Sequence, residues 1–105
     1  MKEITTEEFA SEVLEAKQPV LVDFWGPSCA PCLALMPFVE ELAAKNADRL
    51  KVVKVNAKEN RKLCVQLRVL GLPSFLLFND GNEITRISGD VNQEAIAQLV
   101  DEAFV

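Results

Sequence analysis

Val20-Leu21-Val22-Asp23-Phe24-Trp25-Gly26-Pro27-Ser28-Cys29-Ala30-Pro31-Cys32 is the stretch that decides the fold. Its first six residues are apolar except for Asp23, the pattern of a central strand covered on both faces. After the cysteines, Leu35, Phe38, Val39 and Leu42 recur at helical spacing out to about Asn46, with Glu40, Glu41 and Lys45 on the opposite side. Two cysteines separated by two residues therefore fall at a strand-to-helix junction. In a chain that opens without a secretion signal, such a pair reads first as a redox pair. Pro31 suits the place, because the first helical turn has no intrahelical partner for the N–H that proline lacks.

The junction favours chemistry at Cys29. A helix start presents unpaired N–H groups and roughly half a positive elementary charge, which stabilises a thiolate. A free thiol with a pKa of about 8.5 falls to about 3.5–7.5 in such surroundings. Cys29, at or near the N-cap, is the expected exposed attacker. Cys32, three residues on and one turn deeper, is the expected shielded resolving thiol. A purely structural disulfide is a poor alternative, since so short a loop constrains little of the unfolded chain.

Composition narrows the function. The chain has 105 residues, half of them hydrophobic, enough for one domain (residues 1–105) with its own core. A net charge of −5 argues against nucleic acid or an anionic membrane as the main partner. No apolar run approaches the ~20 residues of a membrane span. The N-terminal Met1-Lys2-Glu3-Ile4 lacks the apolar core of a signal peptide, so a cytoplasmic location is expected. Three cysteines cannot close a disulfide framework. The absence of histidine removes Cys-His and Ser-His nucleophile pairs, so proton transfer falls to carboxylates, thiols or lysines.

Around the central stretch, Thr5 and Glu8 have capping-box spacing and open a first helix with Phe9, Val13 and Leu14 inward. Lys51 to Asn56 reads as a second strand, Asn60 to Leu67 as a short helix with Leu63, Cys64 and Leu67 inward, and Leu72 to Phe78 as a third strand. Asn79-Asp80-Gly81-Asn82 is a hairpin turn into a fourth strand, Glu83 to Ser88. A closing helix from Asn92 to about Ala103 turns Ile96, Leu99, Val100 and Phe104 inward. A further short strand at Ile4 fits ahead of these. The predicted fold is α/β: a mixed central sheet with helices on both faces, its strands parallel except for the antiparallel C-terminal hairpin.

With these elements placed, the chain resembles the thioredoxin family over nearly its whole length. The resemblance is carried by Val22-Asp23-Phe24-Trp25, Cys29-Ala30-Pro31-Cys32, Pro37, Lys54, Gly71-Leu72-Pro73-Ser74, Gly81 and Gly89. It implies the thioredoxin fold and a cytoplasmic, monomeric protein-disulfide reductase working through a Cys29–Cys32 dithiol/disulfide cycle. It further implies that Asp23 is a buried acid moving a proton to or from the deeper thiol, and that Pro73 is a cis-proline lying against the cysteines. By the same resemblance the backbone at Leu72 pairs with an extended substrate segment, and Trp25 packs near the site. The residues agree with this. An Asp23 among apolar neighbours is desolvated, which raises its pKa toward neutrality, and Lys54 is a plausible electrostatic neighbour. Expected catalytic residues are thus Cys29, Cys32 and Asp23; substrate-binding residues Trp25, Pro31, Leu33, Leu72 and Pro73; modulating residues Ala30 and Lys54.

The site departs from the family pattern at Gly26-Pro27, Ser28, Ala30 and Leu33, where a small-acidic pair, tryptophan, glycine and a basic residue are usual. The pair between the cysteines tunes thiolate stability, and potentials in such proteins run from about −270 to −120 mV. A reducing potential is expected, since neither histidine nor a second cation is at hand to over-stabilise the thiolate. An exposed Leu33 in place of a basic residue offers an apolar grip on protein partners. Cys64 reads as a small apolar core residue. With no Gly-x-Gly-x-x-Gly in the sequence, no cofactor is expected, so electrons come from a partner enzyme of the thioredoxin reductase kind. The competing reading is a non-catalytic binding module on the same fold, sensing redox state or carrying a metal.

Overall fold

A computed structural model describes residues 1–104. Its strands are β1 (Lys2–Glu3), β2 (Val20–Trp25), β3 (Lys51–Asn56), β4 (Ser74–Asn79) and β5 (Asn82–Ser88), and its helices α1 (Ala30–Lys45), α2 (Arg61–Leu67) and α3 (Gln93–Asp101). One five-stranded sheet has the order β1-β3-β2-β4-β5. β1, β3 and β2 run parallel, while β4 is antiparallel to both β2 and β5. The mixed sheet with helices is the expected class.

One pairing differs from expectation. β4 was predicted parallel to β2 because a helix precedes it, yet it pairs antiparallel, with Phe24 opposite Ser74. A six-residue strand is about 20 Å long, and α2, with seven residues, covers only about 10 Å. That helix cannot carry the chain back to the far end of the sheet. β4 therefore starts where β3 stopped, which brings the Gly71–Pro73 turn to the C-terminal end of β2, beside the cysteines.

The alternation of β2 sorts the core into two layers. Val20, Val22 and Phe24 pack with Val53, Val55, Leu76 and Phe78 against Phe9, Val13 and Leu63. Leu21 packs on the other face with Val52, Phe75 and Leu77 against Leu35 and Val39 of α1 and Ile96, Leu99 and Val100 of α3. By this two-residue period Asp23 and its register neighbour Lys54 point to the α1 face. The β4–β5 turn has φ of 52° at Asp80 and 78° at Gly81, the double left-handed conformation that a two-residue hairpin demands.

The first helix is not a regular α-helix: Thr6–Glu8 winds as 3-10 and Ala10–Leu14 as π. The Glu8 carboxylate accepts from the Thr5 N–H at 3.0 Å, as the capping box requires. The next N–H, of Thr6, donates to the Asn60 side chain at 2.8 Å, a tertiary cap from far along the chain. The altered winding takes Leu14 off the apolar stripe, and it is exposed. Phe104, expected inward, is also exposed, its ring covered by the Arg49 guanidinium at 4.1 Å.

Candidate functional site

α1 begins immediately after Cys29, which is its N-cap with extended backbone angles, and Pro31 sits in the first turn. The Cys29 Sγ accepts a hydrogen bond from the Cys32 N–H at 3.2 Å, so an N–H of the helix start that has no intrahelical partner points at the Cys29 sulfur. Cys29 and Cys32 are disulfide-bonded, with Cα atoms 5.3 Å apart. Their environments differ: Cys29 is half-buried, whereas Cys32 is 2% exposed. Cys29 is thus the more accessible of the two cysteines.

Beneath α1, Asp23 is 2% exposed. Burial pushes its pKa up to about 7, with the Lys54 ammonium pulling the other way. Lys54 stands beside Asp23 in register and also lies over the Trp25 ring, its Nζ 5.7 Å from the ring centroid. Lys54 thus links the acid and the tryptophan in one cluster. The Trp25 Nε1 is buried with no hydrogen-bond partner among the described residues.

The second wall is the turn before β4. Leu72–Pro73 is a cis peptide bond, as the resemblance implied. The Ser74 hydroxyl donates to the Gly71 carbonyl, and the Pro73 carbonyl accepts from the Gly89 N–H at 3.1 Å. Both ends of the turn are held. The backbone groups of Leu72 make no hydrogen bond among the described residues. Gly26 is where the two walls touch: a Cβ there would meet the Leu72 Cδ1 at 3.2 Å, so even alanine crowds this contact. Between the walls lies a cleft of about 330 Å³ lined by Gly26, Pro27, Ser28, Cys29, Lys58 and Leu72.

Of the residues singled out from the sequence, Cys29, Cys32, Pro31, Leu72 and Pro73 fall at this end of the sheet, with Asp23, Lys54 and Trp25 in the layer beneath α1. Ala30 is exposed at the first helical position. Leu33, 47% exposed, lies one turn beyond Cys29 and is not part of the cleft lining. Lys58 was not singled out, although it follows β3 by two residues and so had to emerge at this end. Arg86 was missed as well. Held by Glu83, its guanidinium donates to the Leu67 and Arg68 carbonyls at 2.9 and 3.2 Å, fastening β5 to the end of α2. Only the register of β5 against α2 would have revealed it. Burial alone raises the pKa of the Cys64 thiol, and no group of three metal-ligating side chains converges among the described residues.

A half-buried cysteine at a helix N-cap, bonded to a fully buried partner and flanked by a cis-proline turn, defines a dithiol–disulfide oxidoreductase. The thioredoxin family model matches residues 1–102. Thioredoxin 1 of Synechococcus elongatus is 39% identical over 99 residues, covering 94% of this chain and 92% of its own length. Chloroplastic thioredoxin X of Arabidopsis thaliana is 40% identical over 103 residues, covering 96% of this chain and 57% of its own length. Thioredoxin C-2 of Corynebacterium nephridii is 37% identical over 98 residues, covering 93% and 91%. The chain belongs to the thioredoxin family. Its activity is thiol–disulfide oxidoreduction on proteins, and the non-catalytic binding module is not favoured.

Proposed function

We propose that this chain, as a single domain over residues 1–105, reduces disulfides of partner proteins with Cys29 as attacking thiolate and Cys32 as resolving thiol. The observation that carries the assignment is the difference in exposure between two sulfurs on one helix start. The Cys29 thiolate attacks one substrate sulfur, forming a mixed disulfide and expelling the other as a thiolate. Cys32 gives its proton to Asp23, whose raised pKa suits it to exchange protons near neutrality. The Cys32 thiolate then displaces the substrate, leaving the Cys29–Cys32 disulfide.

The unpaired backbone of Leu72 supports pairing with an extended substrate segment, with Pro73, Trp25 and Pro31 as further substrate-binding residues and the exposed Leu33, outside the cleft, as an apolar grip on the partner, while Ala30 and Lys54 tune the thiols. Regeneration takes two electrons from a partner reductase of the thioredoxin reductase kind, and the chain works as a monomer in a reducing, cytoplasm-like compartment. Cys64, buried and free, is in keeping with such a compartment.

Replacing the resolving thiol tests the order of the two sulfurs. Cys32→Ser accumulates mixed disulfides with disulfide-bearing proteins, releasable by dithiothreitol and absent from the Cys29→Ser/Cys32→Ser double variant. Adducts that persist in the double variant would assign the attack to Cys64 and overturn the proposal.

A further inference from the structure

The cleft beside Cys29 has Leu72 as one of its walls. On the other side of that side chain a second cleft of about 340 Å³ opens, with Ala57, Arg61, Cys64, Val65 and Leu70 in its lining and Leu72 shared between the two. Its apolar rim faces water. Leu70 is 95% exposed and Val65 76%, an unusual setting for two large aliphatic side chains beside a cavity.

Charge marks the same place. The chain carries −5 overall, yet residues 57–68 hold Lys58, Arg61, Lys62 and Arg68 against the single acid Glu59. The Glu59 carboxylate is occupied by the Asn56 amide at 3.3 Å. Lys58 lines the first cleft and Arg61 the second, and neither forms an ion pair among the described residues. An apolar slot edged by Arg61, sharing Leu72 with the cleft that Lys58 and Cys29 line, is complementary to an acidic and apolar chain.

We infer that the two clefts form one docking groove that selects substrate proteins whose disulfide is flanked by an apolar side chain and carboxylates. The apolar side chain packs between Val65 and Leu70, and the carboxylates face Lys58 and Arg61. This rests on the assignment of Cys29 as the attacking sulfur. The reaction itself is unchanged: a substrate disulfide gains two electrons and two protons as the Cys29–Cys32 bond forms.

Single-turnover reduction tests the preference without any added reductant. The reduced protein is mixed with synthetic disulfide-loop peptides flanked by Leu-Glu-Glu, Leu-Lys-Lys or Ser-Glu-Glu, and peptide thiols are counted after acid quench. The Leu-Glu-Glu peptide is expected to react about tenfold faster than Leu-Lys-Lys at low ionic strength, narrowing to about twofold in about 0.5 M salt. It should also outpace Ser-Glu-Glu severalfold. Arg61→Glu reverses the charge preference, and Leu70→Ser erases the preference for leucine. Both positions are exposed, and the peptide comparison on the unaltered protein stands without either variant.

Equal rates for the acidic and basic peptides, or a preference that Arg61→Glu leaves intact, would overturn the proposal. So would sedimentation showing a dimer that Leu70→Ser dissociates, which would give the groove to a second copy of this chain. Failure on 2-hydroxyethyl disulfide as well as on every peptide would instead sink the assignment of Cys29.

Discussion

Cys29→Ser removes catalysis of protein-disulfide reduction down to the rate of dithiothreitol alone, a fall on the order of a thousandfold or more. The size of the effect follows from the geometry. Cys32 is buried behind the first turn of α1 and cannot meet a large substrate. Cys64 is buried too, and its pKa is raised by that burial, so little of it is thiolate at neutral pH. A serine hydroxyl at the N-cap keeps a hydrogen-bond acceptor for the Cys32 N–H, so the fold is preserved while the nucleophile is lost. The measurement is turbidity or thiol release from a disulfide-bonded protein substrate with catalytic amounts of the variant. Retention of more than a few per cent of activity would contradict the assignment.

Asp23→Asn stabilises the oxidised protein, and by an amount that grows with pH. In the unfolded chain this carboxyl ionises near 4. In the fold it does so at about 7, because burial outweighs the attraction of Lys54. Between those values the native state holds a proton that the unfolded state has lost, so stability falls as pH rises through the window. Below about pH 4 Asp23 adds no penalty, and above about 7 the full penalty is present, on the order of 4 kcal/mol. Asparagine has no charge to desolvate. The gap between variant and parent is expected to widen by about 2–3 kcal/mol from pH 5 to pH 8. Denaturant unfolding at the two pH values measures it, and a gap independent of pH would refute the raised pKa. The same variant loses the acceptor of the Cys32 proton, slowing resolution of mixed disulfides by about tenfold to a hundredfold near neutrality.

The fold was legible wherever one residue pattern admitted one structure. Val20–Trp25, apolar except for Asp23, and Lys51–Asn56, three valines set among two lysines and an asparagine, are runs too short for helices, and both are strands over the expected residues. Asn79–Asn82 names its own turn. The direction of β4 was hidden, because it depends on the length of α2 relative to β3 and not on any local pattern. The winding of the first helix was hidden for a related reason: its Thr6 N–H is taken by Asn60, 54 residues away. Likewise Phe104 belongs to the periodic stripe of α3, yet it lies beyond the helix end under Arg49.

Within the site, the placement of Cys29 at a helix start followed from the apolar spacing after it and the burial of Asp23 from its apolar neighbours, whereas the face Asp23 points to emerged with the packing of Leu21 against α1. The cis bond at Pro73 came from the family resemblance, since local sequence at an X-Pro bond favours trans. The second cleft had no signature at all. Val65 falls off the inward face of Leu63, Cys64 and Leu67, Leu70 lies beyond the end of α2, and no local pattern says that the two line one cleft.

The most direct test of the account is the pH dependence of Cys29 alkylation in the reduced protein, followed by mass spectrometry of the peptide that carries it. If the polarity of the α1 start drives the chemistry, the rate is half-maximal at about pH 7 or below, within the range of helix-start thiols. A midpoint at about 8.5, that of an ordinary free thiol, would contradict it.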